Sequence, residues 1–145
     1  MSKMVRRGSR GFTLIEMLIV IVVIAILALI VIPRLLGAGR KAKEASLKGN
    51  LHELRNVIQQ FEADLGDYPA SLAQVVATTA PTGNGGRGIS LDPSGYKGPY
   101  LRTADGALPK DPFTGTNTWT YTAATGSVVS ASTLIALDGT AYNTW

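Results

Sequence analysis

Residues 11–32 read GFTLIEMLIVIVVIAILALIVI, and from Phe12 to Ile32 only Thr13 and Glu16 interrupt 21 otherwise apolar residues. At 1.5 Å per residue a helix of that length measures roughly 31 Å, enough to cross a hydrocarbon core of about 30 Å. A cleavable secretory signal is the rival reading, since basic residues precede the run and Gly37, Ala38 and Gly39 follow it. Signal cores, however, run to about 7–15 residues and carry no acid near their start. Arg34, Arg40, Lys41 and Lys43 flank the far end almost as densely as Lys3, Arg6, Arg7 and Arg10 flank the near one, so charge bias leaves orientation open. The bulk beyond the helix argues for an N-terminus inside, because long C-terminal domains translocate largely regardless of charge.

The chain's 145 residues hold one modest domain and an accessory segment. Cysteine is absent, which excludes disulfides, thiolate metal sites and cysteine nucleophiles. The net charge of +4 comes entirely from Lys3, Arg6, Arg7 and Arg10; beyond Gly11, ten basic side chains balance ten acidic ones. No basic stripe remains to track a nucleic-acid backbone, and no nucleic-acid partner is expected. One histidine and no paired carboxylates at a recognisable spacing leave catalysis without a constellation. The chain is expected not to be an enzyme.

Glu16 needs an explanation, because an acid inside a membrane segment is expensive and marks function by default. One reading is an acid near the helix end that reaches for the interface. The other needs a cationic partner, and a cut before Phe12 would remove all four leader bases yet create a free α-amine. An ammonium and a carboxylate in low dielectric attract strongly and offset each other's desolvation.

Gly11, Phe12, Thr13, Leu14, Ile15 and Glu16, behind a short basic leader, resemble the processing site of type IV prepilins and of type II secretion pseudopilins. The resemblance implies cleavage after Gly11 by a prepilin peptidase and N-methylation of Phe12. It also implies that Glu16 meets the Phe12 amine of an adjacent subunit and sets axial register.

Pro33 lacks the amide proton of a helix interior and should loosen the helix, with Gly37 and Gly39 weakening it further. Either the helix ends there, or it continues past a flexible stretch that similar pilins melt on assembly. Continuation is favoured, because Leu47, Leu51, Leu54, Ile58, Phe61 and Leu65 recur at steps of three or four, with Val57 widening the stripe. Lys48, His52, Arg55, Gln59 and Glu62 occupy the opposite face, so His52 reads as a solvated side chain. Gly66 supplies a C-cap, with Pro69 just beyond.

The stripe must lie on residues 67–145. Ser71–Ala77 reads as a short helix behind an N-capping Ser71. Ala80–Gly98 holds six glycines and two prolines in nineteen residues and reads as a flexible surface loop; no Gly-Lys-Ser/Thr follows to make it a phosphate loop. Trp119 and Tyr121 alternate with threonines as a strand, Val128 and Val129 return as a second, and Leu134–Leu137 as a third. The expected fold is α+β: a long N-terminal helix, half membrane-type and half amphipathic, packed on a small C-terminal antiparallel sheet of three or four strands. The segments are a leader 1–11, an assembly helix 12–33, an amphipathic half 34–66 and a head 67–145.

Gly98-Pro99-Tyr100-Leu101, then Leu108-Pro109-Lys110-Asp111-Pro112-Phe113, then Trp119 and Tyr121, resemble the head motifs of major pseudopilins of type II secretion. That family's fold is pilin-like, and its members often bind calcium near the C-terminus, which implicates Asp138 beside Gly139. The second acidic cluster of that pattern is missing here, and an ordinary turn is the competing reading. The resemblance implies a filament subunit, a homopolymer joined through Phe12, Glu16 and the Pro33 region. It also implies a prepilin peptidase, an inner-membrane assembly platform and minor pseudopilins or pilins as partners, with lipid around the helix before assembly. The subunit pool would lie in the bacterial inner membrane with the head in the periplasm, feeding a periplasmic or cell-surface filament. The alternative is the major pilin of a type IV pilus serving adhesion, motility or DNA uptake. Intact mass of the mature protein should show a chain that begins at Phe12 and is one methyl group heavier. A chain beginning at Met1, or one cut near Ala38, would overturn the reading.

Overall fold

The computed structural model describes residues 11–145, and of the leader expected at residues 1–11 all but Gly11 lies outside them. Two compact units divide at Gly39 and Arg40. Helix α1 spans Leu14–Leu65 with Pro33 inside it, so the reading in which Pro33 ends the helix is corrected. Proline offers no N–H to the carbonyl four residues back, at Leu29, and the helix runs on past that single lost bond. From Leu14 to Ile32 the large apolar side chains of α1 are exposed all round, from 46 % at Met17 to 86 % at Leu14.

In the second unit α1 becomes amphipathic. Leu47, Leu51, Leu54, Val57, Ile58, Phe61 and Leu65 are buried, while Lys48, His52, Arg55 and Gln59 face outward. Gly66 ends the helix at φ +86°, and its amide donates to the Glu62 carbonyl at 2.8 Å, a left-handed cap that only glycine adopts without strain. Leu72, Val75, Leu91, Leu101, Trp119, Val128, Ala136 and Tyr142 close over the stripe. Each large apolar side chain so buried contributes about 1.5–3 kcal/mol.

The expected α+β fold is the one observed, with a smaller sheet. Helix α2 is a single turn, Ala73–Val76, and Leu72 stands at its N-cap without a side-chain bond. The expected Ser71 cap is therefore corrected: Gln74 instead accepts from the Ala70 amide through its side chain at 2.8 Å. Strands β1, Trp119–Thr122, and β2, Ser127–Ser130, pair antiparallel. The turn between them brings Gly126 so near Tyr68 that a Cβ would lie 2.6 Å from the ring. Leu134–Leu137 makes one isolated bridge, Ile135 to Ala141, rather than a third strand. Its amides are taken elsewhere, Leu134 by the Ser132 hydroxyl and Leu137 by Glu44.

The glycine-rich segment 80–98 is braced, contrary to the reading of it as flexible. Asp67, fully buried, accepts from the amides of Tyr68, Arg87 and Ile89 at 2.8, 3.0 and 3.0 Å and from Arg87 Nε at 2.7 Å. Glu62 holds the same guanidinium at 3.0 Å, and Tyr68 lies beneath it. Burial pushes the Asp67 carboxyl up, but the Arg87 bond and the three amides outweigh it and hold it below the ordinary value. A depressed folded value means stability that is present above about pH 4 and lost as pH falls through the folded value. Arg40–Trp145 made alone should unfold in one cooperative transition with mixed helix and strand by circular dichroism. Asp67→Asn should lower its melting midpoint at pH 7 and flatten the loss of stability on acidification; an unchanged acid profile would remove Asp67 from the account.

Candidate processing and assembly site

The segment around the expected cut is open to a partner. Gly11 and Phe12 precede the helix outside any regular element, and Phe12 is 75 % exposed. Thr13 is the N-cap of α1. Its hydroxyl accepts from the Glu16 amide at 3.3 Å, while Glu16 Oε2 accepts from the Thr13 amide at 2.8 Å and hydroxyl at 2.9 Å. This is a capping box, in which residues three apart satisfy each other's orphaned amides. The Thr-x-x-Glu spacing that signals such a box stands in the sequence at residues 13–16. Both bonds to the carboxylate use Oε2. Phe12, Thr13 and Glu16 thus lie within one turn, whereas Pro33 stands 17 residues beyond Glu16 and takes no part in that turn.

Asp138, the candidate calcium ligand, is exposed in the turn before Gly139. Its Oδ1 accepts from the Thr140 amide at 2.9 Å and hydroxyl at 2.6 Å, and the Thr140 bonds hold the carboxyl below its usual range, with the Lys48 charge adding to the effect. Calcium takes six to eight oxygens, several of them carboxylates. Among the described residues no three His, Cys, Asp or Glu side chains converge, and a nearby ammonium opposes a cation. The donor set does not fit calcium.

The head motifs act in packing. Tyr100 and Leu101 both donate their amides to the Val75 carbonyl at 3.0 Å, and Tyr100 meets Phe61 edge-on with centroids 5.6 Å apart. Buried Asp111 accepts from the amides of Phe113 and Thr114 at 2.8 and 3.3 Å and from the Ser130 hydroxyl. Phe113 stacks on Tyr142 at 4.1 Å. Trp119 donates its indole N–H to the Pro109 carbonyl at 2.9 Å, and Tyr121 its hydroxyl to the Pro69 carbonyl at 2.7 Å.

Comparison with known families places these features together. The prokaryotic N-terminal methylation motif matches residues 6–32, and the protein G family of the type II secretion system matches residues 34–135. The chain belongs to the type II secretion protein G family. Type II secretion system core protein G of Vibrio cholerae is 34 % identical over 109 residues, 74 % of this chain and 67 % of that protein. The core protein G of Aeromonas hydrophila is 31 % identical over 76 % of this chain and 71 % of its own. The type IV wide pilus major component PilA4 of Thermus thermophilus is 37 % identical over 49 % of this chain and 54 % of that protein. No solved structure matches the chain. Within this protein G family member the Asp138 turn should behave as a turn. Calcium at about 1 mM, the range of weak extracellular sites, should leave the melting midpoint of Arg40–Trp145 unchanged. A rise that Asp138→Ala abolishes would restore calcium.

Proposed function

We infer that this chain is the major pseudopilin of a type II secretion system, a structural subunit that polymerises through its apolar N-terminal helix. The observation that carries the reading is the unequal cover of α1. Its second half has its stripe covered within Arg40–Trp145, while the run from Phe12 to Ile32, apolar but for Thr13 and Glu16, presents its large apolar side chains all round. Such a surface is stable in lipid or against copies of itself.

A prepilin peptidase would cut after Gly11, and methylation would follow on the Phe12 nitrogen. The new ammonium would meet Glu16 of a neighbouring subunit. Glu16 can serve both its own cap and a neighbour, since its cap uses only one of two carboxylate oxygens. The Pro33 region, already short of one helical bond, is where the helix would loosen as subunits stack. An inner-membrane assembly platform and minor pseudopilins would complete the machine, with the head in the periplasm and no catalytic role. The likeness to a wide-pilus subunit keeps a type IV pilus as the second reading. Restoring secretion in a strain that lacks its major pseudopilin would favour the first; restoring surface pili alone would favour the second.

Glu16→Ala separates insertion from assembly. Removing the acid makes insertion easier, so membrane levels should stay normal while filaments disappear. Filaments of ordinary yield and register would overturn the charge pair between subunits.

A further inference from the structure

The loop Ser132–Leu137 holds its apolar side chains outward. Leu134, Ile135 and Leu137 are 56, 58 and 50 % exposed, while Ala136 between them is buried. The backbone beneath is fixed to α1. Arg40 donates to the Ile135 carbonyl, and Glu44 accepts from the Leu137 amide and the Tyr142 hydroxyl, both at 2.8 Å. Arg40 and Glu44 lie 3.9 Å apart, and the Ala136 amide donates to the Thr140 carbonyl at 2.7 Å. A loop tied at this many points cannot fold its leucines away.

Charge stands on the same stretch of α1. Lys41 and Lys43 are exposed and form no ion pair among the described residues. The acids nearby are engaged: Glu44 by Arg40 and the loop, Asp138 by Thr140 with Lys48 close to it. Arg40 follows Ile32 by eight residues, a tether of at most about 28 Å even when fully extended. If Phe12–Ile32 spans a membrane, a reading on which this inference rests, the short tether leaves the loop bound to Arg40 and Glu44 within reach of the lipid headgroups.

We propose that Leu134, Ile135 and Leu137, together with Lys41 and Lys43, form a seat on which the head rests against anionic lipid while the subunit waits in the membrane. Apolar side chains entering the interface beside lysines that meet anionic headgroups is the combination that holds proteins on such surfaces. A two-fold contact with a second copy would bring lysines against lysines, which disfavours it, and a head-to-tail contact is told from lipid by its dependence on protein-to-lipid ratio.

The chain has no cysteine, so single spin labels report cleanly. Full-length protein in vesicles of phosphatidylethanolamine and phosphatidylglycerol would carry a label at Ile135→Cys, with Leu134→Cys as a second reading. Control labels are Ile89→Cys on the glycine-rich loop and Val23→Cys inside the span. Neither Ile135 nor Leu134 has a buried side chain, so the substitutions leave the core intact. The ratio of collisions with oxygen to collisions with a water-soluble nickel complex should be several-fold higher at Ile135 than at Ile89. That difference should vanish in phosphatidylcholine vesicles and in a Lys41→Gln, Lys43→Gln variant. An Ile135 label as aqueous as Ile89, with Val23 still in lipid, overturns the seat and leaves the span standing. An aqueous Val23 label overturns the span and the seat with it. Spin–spin broadening at Ile135 that grows with protein-to-lipid ratio assigns the patch to a second copy instead, and also overturns the seat.

Discussion

The folded head depends on one helical face being covered within the same chain. Leu47, Leu51, Leu54, Ile58, Phe61 and Leu65 form a continuous stripe, and every one of them is buried. Turns of loop and a two-stranded sheet have no core of their own; they acquire one by closing over that stripe. Because the cover is complete, the head has no apolar debt to settle with the other half of α1. Residues 12–32 are therefore free to keep their apolar surface for lipid or for other subunits.

Much of this was legible because the stripe has a period, and period survives in sequence. Steps of three and four from Leu47 to Leu65 fix which face is buried, and Gly66 fixes where the helix stops, since its φ of +86° suits no other residue so well. What escaped is held by partners far away in the chain. Asp67 captures Arg87 and Ile89, about twenty residues on, and converts a glycine-rich stretch from a loose loop into a braced one. Glu44 captures Leu137, 93 residues on, and so takes an amide that a third strand would have needed. Apolar composition alone read Leu134–Leu137 as a strand; the competition for its N–H groups decided otherwise.

The motif residues illustrate the same division. Tyr100, Asp111, Phe113, Trp119 and Tyr121 all spend their polar atoms or rings on the head's own backbone and core. Tyr121 is the extreme case: burial, with the Asp67 charge adding to it, pushes its hydroxyl up to about 12, so it stays a neutral donor to Pro69 at any physiological pH. A sequence pattern that looks like a recognition code is thus explained by internal packing. The Asp138 turn follows suit, its carboxylate satisfied by Thr140 two residues on.

Glu16 joins the local and the collective parts of the molecule. An acid at the start of a membrane helix must find donors, since water is scarce there and an unsatisfied carboxylate is costly. Thr13 supplies two, and in doing so the acid satisfies an amide that the helix start would otherwise leave open. The carboxylate is therefore satisfied within its own chain. Cleavage before Phe12 would place a positive charge one residue from that box, and a helix N-terminus repels positive charge in its own chain. The ammonium would be better placed against the carboxylate of another chain than against its own helix start. The capping box would then make the single subunit tolerable, and the unpaired ammonium would give it a reason to assemble.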